Sequence, residues 1–393
     1  MIKIFFRRIH LYLSLAAGLA ILTCCLTGAI LVFEKDLQMA FNKGRYYVEP
    51  AAQTMPLSQL QDVVRTAYPK SKVNSIRVYA DPSRSAEFNI TLPGKQAAQE
   101  TKGGPPPRQP GATLFVNPYT GQILEQYSYR ETAFFQVFAL HRWLLGGEKS
   151  VGKYIVGIST IIFLFILITG IILWWPKNKA ILLRRLKIKK DANWKRINHD
   201  FHLVFGFYSS IFLFIFAFTG LAWSFEWFNE GIYKVTNSPL KPPPPPTSAY
   251  TGAASTISPD KALASGRSTY TNAVYYNISI PKDSAEAVTV SALSKDAPHE
   301  SATDALYLDQ YSGAVLGRMP FGERSLGARV RSSFKPIHTG SIGGTPTKIL
   351  AFIVCLLGVT FPITGFIMWR NRVSKKKKVK ATGVQLPERE VTV

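Results

Sequence analysis

Four long apolar runs dominate the chain: Leu11 to Phe33, Tyr154 to Trp175, Phe201 to Phe225, and Ile349 to Trp369. Each is about 21 to 25 residues, enough at ~1.5 Å rise per residue to cross ~30 Å of hydrocarbon. They predict four transmembrane helices. The stretches between the first and second runs, and between the third and fourth, follow shorter periods. In the former, Leu57 to Tyr68 reads as a helix, followed by alternating strands at Ser75 to Tyr79 and Ala86 to Leu92. In the latter, Ser258 to Gly266 reads as a helix, with strands at Ala273 to Ile280 and Ala287 to Ala292. Val116 to Leu124 and Leu308 to Leu316 each read as strand, Gly-containing turn, strand. Two small α+β domains are therefore expected. Pro242 to Pro246 reads as a stiff extended spacer, and Gly94 to Gly111, with Pro105 to Pro107, as an excursion from the first domain.

Charge gives these spans a direction. The 393-residue chain carries a formal net charge of +23, a value that alone would suggest a nucleic-acid partner. The basic residues instead flank the spans. Lys3, Arg7 and Arg8 precede the first; Lys177, Lys179, Arg184, Arg185, Lys187, Lys189, Lys190, Lys195 and Arg196 lie between the second and third; Lys375 to Lys378 follow the fourth. All three segments share one side if the helices alternate in direction, which is the positive-inside pattern. Both termini and the 177–197 loop are thus expected in the cytoplasm, with membrane lipids, not nucleic acid, facing the basic residues. The expected division is 1–36 (first helix), 37–132 (first outer domain), 133–176 (second helix with an outer extension), 177–197 (basic loop), 198–228 (third helix), 229–330 (second outer domain), 331–371 (fourth helix with its approach) and 372–393 (basic tail). The first apolar run is too long for the core of a signal peptide and has no cleavage pattern after it. Cys24, Cys25 and Cys355 all lie within spans and read as packing residues, so the outer domains carry no disulfide framework.

The chain also repeats itself. His10, Thr27-Gly28 and Glu34 in the first span match His202, Thr219-Gly220 and Glu226 in the third, at a constant offset of 192 residues. Thr169-Gly170 and Trp174 match Thr364-Gly365 and Trp369, with His141 and His338 upstream. The expected fold class is therefore membrane α-helical: four transmembrane helices in two duplicated halves, with two small α+β periplasmic domains.

The repeat sorts the histidines. His10, His199 and His202 begin helices on the basic side, whereas His141 and His338 lead into helices from the opposite side. Ionisable groups at membrane depth mark function by default. Neutral imidazoles facing across a gap between helices suit a b-type haem iron. His10, His202, His141 and His338 are the expected ligands. His199, three residues before His202, is a rival ligand or a partner for a haem carboxylate. Arg7, Arg8, Arg142 and Arg196 lie near these histidines and suit the same carboxylates. The Thr-Gly pairs offer a small surface to a flat macrocycle or to another helix. The absence of a Cys-x-x-Cys-His motif excludes covalently attached c-type haem. His299, in a polar loop, is expected to be solvent-exposed.

These residues carry a resemblance. Arg7 precedes His10 by three and Ser14 follows by four; His141-Arg142-Trp143-Leu144 precedes the second span; Pro118-Tyr119-Thr120-Gly121 ends the first outer domain. With the Thr-Gly pairs, this pattern resembles the PepSY-associated transmembrane family over nearly the whole chain, most of all its di-haem ferric-siderophore (ferrioxamine) reductase type. The resemblance implies a bacterial inner-membrane protein with PepSY-like periplasmic domains and two haem b. His10 with His202 would hold the cytoplasmic-side haem, and His141 with His338 the periplasmic-side haem. It implies a periplasmic ferric siderophore as substrate, which one-electron reduction would release as Fe(II). The second outer domain departs from the motif, reading Asp309-Gln310-Tyr311-Ser312-Gly313.

The cytoplasmic segments are too short for a flavin or nicotinamide domain and carry no Gly-x-Gly-x-x-Gly. Electrons are expected from membrane quinol or a separate cytoplasmic reductase. Two other readings are a membrane-anchored PepSY regulatory or binding protein, and a cytochrome b partner serving a different acceptor.

Overall fold

The computed structural model describes residues 2–93, 111–250 and 255–381. The first half runs α1 (Ile2–Val32), α2 (Glu34–Phe41), α3 (Lys43–Tyr46), α4 (Leu57–Ala67), β1 (Lys72–Tyr79), β2 (Ala86–Thr91), β3 (Gly111–Val116), β4 (Ile123–Tyr127), α5 (Ala133–Trp143) and α6 (Val151–Trp174). After the short α7 (Lys179–Arg185), the second half runs α8 (Trp194–Ser224), α9 (Glu226–Val235), α10 (Pro259–Thr269), β5 (Ala273–Ser279), β6 (Val288–Ser294), β7 (Asp304–Leu308), β8 (Val315–Met319), α11 (Leu326–His338) and α12 (Thr345–Ala381). The excursion expected at Gly94 to Gly111 lies outside the described residues, except for Gly111, which opens β3. Residues 382–393 of the basic tail lie outside them too. The residues just after Arg370 continue α12 as helix through Ala381.

Two compact units result, a helical bundle and a sheet domain. Among the described residues, α1, α6, α8 and α12 of the bundle contain the four segments long and apolar enough to cross a membrane. Helix α1 packs on α6 and α12, and α8 packs on the same two. Ala17, Ile21, Cys25, Ile166, Leu213 and Val354 meet at the centre. Gly18 of α1 faces Pro362 of α12, where a Cβ would make ordinary contact at 3.6 Å. Leu19, Ile158, Phe165, Ile211 and Ile353 point outward and exposed. Such a continuous apolar exterior suits lipid, where no aqueous partner is needed. All three cysteines are free thiols.

The sheet domain revises the expectation of two separate outer domains. Among the described residues, eight strands form one antiparallel sheet in the order β4-β3-β2-β1-β5-β6-β7-β8. Each half contributes a four-stranded meander. Strands β1 and β5 join them, with Ile76 opposite Ile278 and Val78 opposite Tyr276. Apart, each meander would leave a full-length edge of unpaired backbone groups at that strand, and pairing removes both edges. Helices α4 and α10 cover one face. Leu60, Val64, Ala262 and Leu263 pack on Ile76, Phe88, Leu114, Ile278, Val290 and Leu306. A Cβ on Gly266 would come within 2.7 Å of Val290 Cγ1, so glycine here is what lets α10 lie against the sheet.

The departure from motif at Asp309 leaves the turn unchanged. Asn117 Oδ1 accepts the amide of Tyr119 at 2.9 Å, and Asp309 Oδ1 accepts those of Tyr311 at 3.0 Å and Ser312 at 2.8 Å. Both loops close on a glycine in the left-handed region, Gly121 (φ 73°) and Gly313 (φ 76°). His299, expected in solvent, is half-buried, with its ring edge-on to Phe321 at 5.3 Å. A sequence shows that a histidine sits among polar residues but not that an aromatic lies across the turn.

Besides the β1–β5 pairing, a helix cap ties the halves of the sheet domain together. Helix α4 begins after Pro56, which offers no side-chain cap. Asp260 of α10 supplies one, its carboxylate accepting the amides of Leu57 at 2.6 Å and Ser58 at 3.0 Å. Partial burial alone would raise this carboxyl. The Ser58 and Leu57 hydrogen bonds outweigh it and hold Asp260 below its usual range. Asp260→Ala should therefore cost about 1–2 kcal/mol, the value of a charged helix cap. The contribution is present above the unfolded carboxyl pKa of ~3.9 and lost as pH falls through the lower folded value. Denaturation of the full chain at pH 7 and pH 3 would check this, and an equal effect of the substitution at both would contradict it.

Candidate functional site

Each Thr-Gly pair in the bundle receives one histidine from another helix. His10 of α1 lies on Thr169-Gly170 of α6, and its Nδ1 is 3.0 Å from Thr169 Oγ1 and 3.1 Å from the carbonyl of Ile166. His141 of α5 lies on Thr27-Gly28 of α1, 2.9 Å from Thr27 Oγ1 and 3.1 Å from the carbonyl of Cys24. His338 of α11 lies on Thr219-Gly220 of α8, 3.2 Å from Thr219 Oγ1 and 2.9 Å from the carbonyl of Phe216. His202 of α8 lies on Thr364-Gly365 of α12, 2.7 Å from Thr364 Oγ1. The small surface of each pair admits an imidazole, and at Gly28 also Cys355 of α12.

The reason is local. A helical threonine turns its hydroxyl back onto the carbonyl four residues earlier. Thr169 donates to Phe165 at 2.8 Å, Thr27 to Thr23 at 2.6 Å, Thr219 to Ile215 at 2.7 Å and Thr364 to Thr360 at 2.9 Å. With its hydrogen so placed, each Oγ1 offers a lone pair outward. The glycine that follows has no side chain to cover the surface beside it. A Cβ would lie 3.5 Å from His141 Cε1 at Gly28, 3.4 Å from His10 Cε1 at Gly170, 3.2 Å from His338 Cε1 at Gly220 and 3.5 Å from His202 Cε1 at Gly365.

The partners fix the tautomer. A carbonyl oxygen only accepts, so Nδ1 carries the hydrogen at His10, His141 and His338. At His202 the same follows from the hydroxyl, whose hydrogen is already given to Thr360. In the neutral ring Nε2 then keeps its lone pair. His141 keeps some accessible surface, but its surroundings are almost wholly protein. That enclosure, with His338 and Arg142 adding to it, pushes its pKa down to about 3. His338 is lowered for the same first reason.

The four imidazoles form two pairs. His141 and His338 face each other with ring centroids 6.2 Å apart and planes at 66°. His10 and His202 line one cavity of about 850 Å³. Its walls are apolar, with Trp174 stacked on Phe207 at 3.7 Å, and Arg7, Arg184, Arg185, Arg196 and Arg372 also line it. Along α1, His10 and the Thr27 that receives His141 are 17 residues apart, about 25 Å of helix. The pairs therefore occupy opposite ends of the bundle. Of the aromatic residues on α8, Phe207 lines the cavity, Phe212 and Phe216 enter the core, and Tyr208 and Phe218 face outward.

The remaining expected residues divide. His199 lines the cavity but has no Thr-Gly cradle; its Nδ1 lies 3.3 Å from Asp200 Oδ1. Arg196 pairs with that same carboxylate at 2.8 Å. Arg7 lines the cavity, whereas the exposed Arg8 is not among the lining residues. Arg142 donates to the carbonyl of Trp223 at 3.2 Å and lies over the Trp143 ring, so part of its role is to bind the end of α8. Arg185, which no motif singled out, donates to the Leu173 and Trp175 carbonyls at 3.3 Å and to that of Trp174. It closes the C-terminus of α6 as a cation suits a helix end.

Four apolar helices whose Thr-Gly pairs receive paired, tautomer-fixed histidines, in a chain that also forms a single antiparallel sheet domain, define a helical membrane protein with an α+β domain. The chain belongs to the family described as the PepSY-associated TM region, whose model matches residues 7–372. No curated protein matches the chain.

Proposed function

We propose that the chain is a di-haem b oxidoreductase of the bacterial inner membrane that passes electrons outward to reduce a periplasmic ferric siderophore. The observation that carries this reading is the donor set. Among the described residues no group of three or more His, Cys, Asp or Glu side chains converges as a bare metal ion would need. The histidines come in twos, the number of axial positions that a four-nitrogen macrocycle leaves to the protein. The separation fits as well. Two imidazoles on opposite sides of one metal, each with nitrogen ~2 Å from it and a ring radius of ~1.1 Å, have centroids about 6.3 Å apart; His141 and His338 stand at 6.2 Å. A cavity of about 850 Å³ at His10 and His202 lies within the range that encloses a cofactor.

His10 and His202 would hold one haem, His141 and His338 the other. A haem so held supplies reversible one-electron chemistry. The chain's own residues do the rest. The Thr-Gly cradles orient each Nε2, and the apolar residues lining the cavity would pack against the faces of the group. Arg7, and Arg196 beyond its pair with Asp200, line the cavity and would meet the carboxylates of the group. The basic residues lining and flanking that cavity support a cytoplasmic location for it and for both termini under the positive-inside rule, and a periplasmic one for the other pair. There one electron per iron converts Fe(III) to Fe(II), which hard oxygen ligands hold less well. Quinol or a separate reductase supplies the electrons. The offsets of 192 residues (His10 to His202, Thr27 to Thr219), 195 (Thr169 to Thr364) and 197 (His141 to His338) support descent from a duplicated half, with PepSY-like sequence in the sheet domain.

Vesicles carrying the purified protein, loaded with a reductant and given an external ferric hydroxamate chelate with a ferrous trap, test the reading. The expected result is Fe(II) outside at a rate dependent on the protein. Reduction no faster than in protein-free vesicles, with both haems present, would leave a cytochrome with another acceptor.

A further inference from the structure

The four cradles are not equivalent. At His10, His141 and His338 the Nδ1 hydrogen meets both a threonine hydroxyl and the carbonyl three residues before that threonine. At His202 the hydroxyl of Thr364, at 2.7 Å, is the one Nδ1 acceptor among the described residues. The position of Thr364 is itself held from α8, since the buried Asn198 donates to the Thr364 carbonyl at 3.2 Å. Both the imidazole and the tie that fixes its acceptor therefore come from the same stretch of α8, at His202 and four residues before it.

We propose that Thr27, Thr169, Thr219 and Thr364 are positioning residues that set the donor strength of the imidazoles they hold, with Thr364 carrying the largest share. This rests on the haem reading above. A hydrogen bond accepted from the distal ring nitrogen makes a ligating imidazole more basic and fixes its orientation. More basic ligands favour the ferric over the ferrous state, so removing the acceptor raises the potential of that centre. Where a carbonyl remains, the loss of a hydroxyl is partly covered. At His202 nothing covers it, and the ring is also freed to turn away from the cavity. The serine hydroxyl has the same reach as that of threonine, so serine should serve in its place.

The test compares Thr364→Val, Thr364→Ser and Thr169→Val in the full-length protein, by haem retention and by redox titration followed through the visible spectrum. Thr364→Val should weaken haem binding at the His10–His202 end about 10- to 100-fold and move that centre's titration to higher potential. Thr364→Ser should titrate as wild type. Thr169→Val should shift the same centre less, because the Ile166 carbonyl still accepts from His10. Equal titrations for wild type and Thr364→Val, or a Thr169→Val shift as large as that of Thr364→Val, would overturn the proposal while leaving the haem reading intact. Wild-type protein that holds no haem would overturn both.

Discussion

His141→Ala or His338→Ala will leave the purified protein with about half its haem, all of it at the His10–His202 end. His10→Ala or His202→Ala will do the reverse. The expectation follows from the pairing: each histidine belongs to one pair, and the pairs are about 25 Å apart along α1, too far for one to substitute for the other. His199 makes a distinguishing case. It lines the same cavity as His202 but sits on Asp200, with no threonine hydroxyl. His199→Ala should keep both haems. Haem content per chain and the reduced-minus-oxidised spectrum of each variant check the assignment, and full haem in all four single variants would refute it.

A second large effect belongs to a residue with no functional group. Gly220→Val should empty the His141–His338 site as completely as loss of His338 itself. A Cβ at Gly220 would already stand 3.2 Å from His338 Cε1 and 3.7 Å from Nδ1, and the two further methyls of valine would occupy the imidazole's place. Overpacking of this kind costs about 1–3 kcal/mol when the surroundings must yield. Here the side chain with least hold is the histidine, whose polar contacts on α8 are two hydrogen bonds. Gly220→Ala, which asks the ring to move by only a few tenths of an ångström, should keep most of its haem. The contrast between alanine and valine, read as haem content, separates a cradle from a general need for glycine in the helix. Equal haem in both variants would contradict it.

Much of this arrangement is legible in the sequence because membranes narrow the choices. Four runs such as Leu11 to Phe33 have few alternatives to spanning helices. The repeated spacing from His10 to Thr27 and from His202 to Thr219 puts a histidine and a Thr-Gly pair at the two ends of one helix. What the spacing does not say is which histidine meets which pair, since His10 and Thr27 never touch and each finds its partner on a different element. The cradle is a tertiary feature built from two helices, and periodicity describes only one at a time. The same limit applies to the sheet. Alternation at Ser75 to Tyr79 and Ala273 to Ile280 shows two strands with one buried face each. It carries no signal that they pair with each other across nearly 200 residues. The Asp260 cap on α4 is equally invisible, since Asp260 reads as an ordinary acidic residue in the first turn of its own helix.

The visible spectrum of the purified full-length protein bears most directly on the paired imidazoles. Two bis-histidine sites predict two non-covalent b-type haems per chain, with a Soret shift on reduction and an α band of b type. Protein expressed with ample haem that shows no Soret band, or that binds a single haem undiminished by His141→Ala and by His10→Ala alike, would contradict the assignment of these histidines as ligands.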